Sequence, residues 1–275
     1  MSTGIHPSKY IQVTSDRWEI VQSVSIIESP VSLTVNGEIW LTFMCTPVDL
    51  EALAAGFLFN EGLIESLADI ADIRVCPEEE NIDIWLNRSM QKPDLWRRTS
   101  GCTGGITSQA NAPTGASTRF SKTNGWGISS DQVNQLVGKL YQEQLLYRQS
   151  GGVHTSALSD GEKLVIYTED VGRHNTLDKL AGKMLLQDLS ITRCIILTTG
   201  RLSSEMLQKS SRMGASIIIS RTAPTSLSIQ LAEQWGITLI GYARRDRFNI
   251  YTHPDRVLPS HMSSEEEVSY AQTNL

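Results

Sequence analysis

The chain has 275 residues, 40% of them hydrophobic, enough to bury a substantial core in one large or two modest domains without disulfide staples. A formal net charge of −6 argues against a general nucleic-acid binder while leaving room for a local basic cleft. The cysteines at 45, 76, 102 and 194 form no C-x-x-C pair, no apolar run reaches membrane-spanning length, and the opening residues lack a secretory apolar stretch. The expected setting is cytoplasmic, with reduced thiols, no membrane anchor and no metal site.

After a polar start, Val31 to Val35, the Asn36-Gly37 dipeptide and Glu38 to Met44 predict a hairpin, because Asn-Gly suits a type I′ turn. Asp49 is placed to cap a helix with Leu50, Leu53, Ala54, Phe57 and Leu58 on one stripe, ending near Gly62. Short strands are expected at Ile70 to Val75 and Ile82 to Leu86. From about 90 to 126 no periodicity is sustained and Ser, Thr, Gly and Asn dominate, which predicts a mobile loop carrying Cys102. A helix from Ser130, with Val133, Leu136, Val137 and Leu140 on one face, runs to Gly151-Gly152. Val153 to Leu158, an Asp160-Gly161 turn and Lys163 to Thr168 predict a second hairpin. The helix after Asn175 buries Leu177, Leu180, Met184 and Leu185.

Three apolar strands follow, Cys194 to Thr199, Ser216 to Ser220 and Ile237 to Ile240, separated by amphipathic segments Ser203 to Met213 and Pro224 to Trp235. This is a β-α-β-α-β pattern with right-handed crossovers and parallel strands, read as doubly wound, so a ligand belongs beyond the strands' carboxyl ends. Arg201, Arg221 and Arg244 fall at those ends, and forked guanidinium groups suit phosphate oxygens. The competing reading is three arginines on a solvated rim. The fold class is α/β in two domains, a smaller α+β domain over 1–127 and a mixed-sheet domain over 128–260, with a solvated tail over 261–275.

Cys102 lies in Ser100-Gly101-Cys102-Thr103-Gly104-Gly105, where little bulk surrounds the sulfur and backbone N–H groups or a nearby arginine can stabilise a nucleophilic thiolate. An incidental loop thiol is the alternative. Cys45, Cys76 and Cys194 sit in apolar strand patterns and read as inert. The run Glu169-Asp170-Val171-Gly172-Arg173-His174-Asn175 leaves Arg173 and His174 as candidate ligand contacts, with Asn175 as a helix cap. The run Tyr242-Ala243-Arg244-Arg245-Asp246-Arg247 combines arginines with an aromatic ring, a combination that binds phosphates and stacks on a base.

These residues resemble the formate dehydrogenase accessory sulfurtransferase family, FdhD. The resemblance is dense from Gly151-Gly152-Val153-His154 through Glu169 to Asn175 and Asp178-Lys179-Leu180. It continues through Gly200-Arg201, the Ser220 to Ser226 turn and Phe248 to Pro254. It implies a persulfide sulfur carrier that takes sulfur from a cysteine desulfurase and passes it to the molybdenum or tungsten bis-pterin guanine dinucleotide cofactor of formate dehydrogenase. In that frame Cys102 matches the persulfide-forming cysteine and Tyr242 to Arg247 the cofactor-binding segment. Arg201, Arg221, Arg173 and His174 are further candidates, a homodimer is expected, and the C-terminal domain is cytidine deaminase-like. Gly105 stands where many relatives carry a second cysteine, so Cys102 would act alone. His154 is not followed two residues later by Glu, and no Pro-Cys-x-x-Cys follows, which argues against zinc deaminase chemistry. A non-catalytic cofactor chaperone is the alternative function.

Overall fold

The computed structural model describes residues 3–76, 80–93, 96–98, 106–108 and 127–260. Cys102, most of the 90–126 loop and the 261–275 tail lie outside the described residues. Among the described residues the architecture is mixed α/β with several sheets and six α-helices. No described helix is long and apolar enough to cross a membrane.

The chain forms two compact units that are interleaved along the sequence rather than split once near residue 127. The first comprises Met1–Asn111, Glu143–Ser156 and Tyr167–Ser190; the second comprises Ala112–Gln142, Ala157–Ile166 and Ile191–Leu275.

In the first unit, β1 (Ile5–Val13) and β2 (Trp18–Ile26) form an antiparallel ribbon that the polar appearance of the first residues conceals. The predicted hairpin forms as β3 (Ser29–Val35) and β4 (Glu38–Cys45), with Asn36 and Gly37 both at positive φ. These strands join β5 (Ile70–Cys76) and β6 (Asn81–Leu86) in a sheet of order β4-β3-β6-β5. Helix α1 (Leu50–Asn60) buries every residue from Ala52 to Phe59, because it is covered on more than one side. One cover is the helix Arg173–Leu186, called α4 below, which meets α1 through two glycines. A Cβ placed on Gly56 would lie 1.8 Å from the Asp178 carbonyl oxygen, and one on Gly182 would lie 1.8 Å from that of Ala52. The helices therefore touch backbone to backbone, and this contact between distant segments holds Tyr167–Ser190 in the first unit.

Asp49 does not cap α1 with its side chain; it adopts a left-handed φ of 53° and its carboxylate pairs with Lys183 at 2.7 Å. A short antiparallel pair, β7 (Trp96–Arg98) and β8 (Ile106–Ser108), flanks the Cys102 segment in sequence. After β9 (Ile128–Ser129), the helix expected to run from 130 to 151 is two helices, α2 (Ser130–Glu143) and α3 (Leu145–Ser150), the second ending at Gly151 in the left-handed region. Strands β10 (His154–Ser159) and β11 (Leu164–Asp170) precede α4. Helix α4 begins two residues before Asn175, with Gly172 as its cap, so Asn175 sits inside the first turn.

The second unit is built on β12 (Ile195–Thr198), β13 (Ile217–Ser220) and β14 (Thr238–Gly241), which pair in parallel. Helices α5 (Ser204–Arg212) and α6 (Ser226–Trp235) connect them, each capped as a good helix start should be: Ser203 and Thr225 accept from the backbone N–H groups of Met206 and Ser228. The strands advance one place at a time in one direction, so right-handed crossovers put both helices on one face, where they pack together. This segment is singly wound, not doubly wound. Strand β15 (Asn249–Thr252), unexpected from the sequence, pairs antiparallel to β14 and completes the order β11-β10-β12-β13-β14-β15. Strand β16 (Val257–Leu258) pairs with β9.

Candidate functional site

Thr198, Ser220 and Gly241 end the three parallel strands, so their exit loops emerge at one end of the sheet. The loops are tied together by the polar residues that follow each apolar run. The Ser220 hydroxyl, fully buried, donates to the Gly200 carbonyl at 2.7 Å and accepts from the Thr222 N–H at 3.0 Å. The Ser220 carbonyl accepts from the Ala243 N–H at 2.9 Å, and the Thr222 carbonyl from the Tyr242 N–H at 3.1 Å. Arg221 N–H donates to the Thr198 carbonyl at 3.2 Å. These bonds hold Tyr242 at a positive φ of 52°, a conformation that a tyrosine adopts only when its surroundings impose it. The consequence is a sharp divergence of neighbours: Ala243 is buried, while Tyr242 is half exposed.

Arg201, Arg221, Arg244, Arg245 and Arg247 lie on this three-loop platform. Arg201, Arg245 and Arg247 are exposed, and Arg221 and Arg244 half-buried. Among the described residues no carboxylate lies within ion-pair distance of any of the five, Asp246 included. Arg244 has a partly structural role that its sequence position does not reveal: its Nη1 donates to the Arg221 carbonyl at 2.7 Å, and its N–H to the Arg247 carbonyl at 2.8 Å.

The structure adds one residue that sequence patterning overlooked. Tyr141, in the last turn of α2, carries the Arg221 guanidinium 4.4 Å from its ring centroid and that of Arg245 at 5.8 Å, both within cation–π range. Its only sequence signal is a position four residues after the buried Val137, at the edge of the apolar stripe, which says nothing of what meets it.

Arg173 and His174 belong to the first unit, in the first turn of α4, and are 6% and 5% exposed. Around them the polar run has structural duties. Asp170 and Lys179 are both fully buried and pair at 2.6 Å. The Asp170 carboxylate also accepts from the Gly172 and Thr46 N–H groups and from Asn175 Nδ2, at 2.7, 3.1 and 2.9 Å. Lys179 Nζ donates to the Thr46 carbonyl at 2.9 Å. Glu169 accepts from the Leu146 and Tyr147 N–H groups at 2.7 and 3.0 Å, satisfying the start of α3.

Cys45, Cys76 and Cys194 are free thiols. Burial pushes Cys45 up to about 12, with the Asp170 charge adding to it, and burial alone pushes Cys194 to about 12. Neither forms a thiolate near neutrality, in keeping with inert core residues.

A model of the FdhD/NarQ family matches residues 26–258. The chain belongs to that family. A sulfur carrier protein FdhD of Bacillus subtilis (strain 168) is 35% identical over 242 residues, 86% of this chain and 91% of its own. Another, from Bacillus pumilus (strain SAFR-032), is 35% identical over 258 residues, 92% of this chain and 95% of its own. A solved structure from Desulfotalea psychrophila, assigned as a formate dehydrogenase accessory protein, superposes with a TM-score of 0.76 at 30% identity, covering 93% of this chain and 100% of that one. The FdhD/NarQ match takes in both units, the arginine platform and Cys102.

Proposed function

We propose that this protein is a sulfur carrier that serves formate dehydrogenase, and that its second unit binds the guanine nucleotide portion of a molybdenum or tungsten bis-pterin cofactor as its client. The observation that carries the reading is the cluster of five arginines, without carboxylate partners among the described residues, on loops tied together at the carboxyl ends of three parallel strands. A guanidinium not already engaged by a carboxylate keeps its in-plane donors for an incoming phosphate, and an immobilised platform lowers the ordering cost of binding. Family membership supports the sulfur half of the proposal, since the relatives are named sulfur carriers.

Cys102 is the proposed carrier. Its thiolate attacks the terminal sulfur of a desulfurase persulfide, an S–S bond forms on Cys102 as the donor S–S bond breaks, and the donor cysteine leaves as a thiolate. Delivery of the outer sulfur to the cofactor as sulfide would break the Cys102 S–S bond, with two electrons from a thiol reductant, and return Cys102 as its thiolate. Titration calorimetry with GDP tests the cleft: Arg221→Ala combined with Arg247→Ala weakens binding by about 1.5–3 kcal/mol per lost charge-assisted bond, and unchanged affinity in the folded variant removes this platform from the site. Mass spectrometry after incubation with a cysteine desulfurase and cysteine tests the thiol. Cys102→Ser abolishes the added sulfur while GDP binding persists. If that variant still activates formate dehydrogenase in cells lacking the endogenous factor, the protein acts as a cofactor chaperone without sulfur transfer.

A further inference from the structure

We propose that Tyr141 is a positioning residue for the anion site, holding Arg221 and Arg245 in place before the ligand arrives; this rests on the arginine platform being a nucleotide diphosphate site. Arginine side chains are long, and ordering each one on binding opposes association. Those on a solvated rim would sample many rotamers. Here one ring lies 4.4 Å from one guanidinium and 5.8 Å from another, and the three residues come from three separate segments: α2, the β13 exit and the β14 exit. A contact assembled from positions 141, 221 and 245 is not a by-product of helix periodicity.

The chemistry of the contact fits an anion site better than an ion pair would. A carboxylate would occupy the in-plane N–H donors that a phosphate needs. An aromatic ring instead engages a cation through its electron-rich face, and the N–H donors stay available for two or three phosphate oxygens. The ring's negative face also offsets part of the repulsion between two neighbouring cations. No carboxylate competes for either arginine among the described residues, so Tyr141 is the group that steadies them in the free protein. The Arg221 backbone is fixed independently, by its N–H bond to Thr198 and by the Arg244 Nη1 bond to its carbonyl, leaving the side chain as the part that needs a support.

The test uses the full chain, GDP as the probe and Tyr141→Leu beside Tyr141→Phe. Leucine removes the ring and keeps an apolar side chain; phenylalanine keeps the ring face and removes only the hydroxyl. The expected result is a loss of about tenfold in GDP affinity for Tyr141→Leu, from the ordering cost of two freed arginines, and a change within about twofold for Tyr141→Phe. Wild-type affinity in a folded Tyr141→Leu variant overturns the proposal, as does a loss in Tyr141→Phe equal to that in Tyr141→Leu. A second readout needs no ligand: in 15N-edited NMR of the free protein, the Arg221 Nε–H resonance carries a ring-current shift that persists in the phenylalanine variant and disappears in the leucine variant. Its absence from the wild type overturns the positioning role. Failure of the wild type to bind GDP with that shift present overturns the nucleotide reading instead, leaving the Tyr141 support intact.

Discussion

In the first unit, the polar run at the end of β11 closes around a fully buried ion pair; in the second, the polar run that follows β14 leaves its arginines without a carboxylate among the described residues. Both runs occupy the same kind of place, the exit of a strand, and both are rich in charge. They differ in what the tertiary structure brings to them. Asp170 reaches Lys179 in the second turn of α4, and the backbone of Thr46 and Gly172 and the side chain of Asn175 satisfy the rest of the carboxylate. In the second unit Arg244 meets the Arg221 carbonyl, and Arg221 and Arg245 meet an aromatic ring. The first arrangement uses its charges inside the fold, and the second, under the proposed function, leaves them for an anion from outside.

The contrast is broken most severely at Lys179. Lys179→Ala strands the Asp170 carboxylate in a dry interior, and urea unfolding should show a loss of about 3–5 kcal/mol. Adding Asp170→Asn recovers part of it, because no uncompensated charge is then buried, although the amide cannot accept every bond that the carboxylate accepts. Next in size is the helix contact that brings α4 into the first unit. Gly56→Ala forces α1 and α4 apart, since the new methyl meets backbone that cannot rotate away, and thermal unfolding should register about 3 kcal/mol.

A smaller effect separates the core thiols from a reactive one. Cys45 and Cys194 stay protonated in the native protein up to about 12, whereas in the unfolded chain they ionise near the ordinary value of about 8.5. Between those limits the native state holds more protons, so the contribution of these thiols to stability is constant below about pH 8.5 and falls as pH rises above it, by about 1.4 kcal/mol per unit for each thiol. Urea titrations from pH 9 to 11 should show Cys194→Ala flattening that slope; an unchanged slope would mean that this thiol ionises without unfolding. The smallest expected change sharpens the comparison from the other side. Arg247→Ala should alter stability by no more than about 0.5 kcal/mol, because its exposed guanidinium completes no ion pair within the described residues, and only GDP binding should respond.

By itself the sequence determined the parallel β-α-β-α-β order, the Asn-Gly hairpin, the buried character of Cys45 and Cys194 though not of Cys76, which is half-buried at the end of β5, and the arrival of Arg201, Arg221 and Arg244 at strand ends. Those features follow from local rules: apolar runs make buried strands, amphipathic spacing makes crossover helices, and the handedness of the connection then fixes which ends align. The β1–β2 ribbon was obscured because Pro7, Lys9 and Gln22 interrupt an otherwise alternating pattern, and β15 because its four residues, Asn249–Thr252, are too few to show a strand period. The tertiary structure alone decided that Asp170 and Lys179 form a sealed pair, that Gly56 and Gly182 let two helices touch, and that Tyr141 meets Arg221 and Arg245. Periodicity reports which face of an element is buried, but a pair's partner is set by the path of the chain between them. The residues that meet at 56 and 182, or at 141, 221 and 245, are joined only after that path has closed.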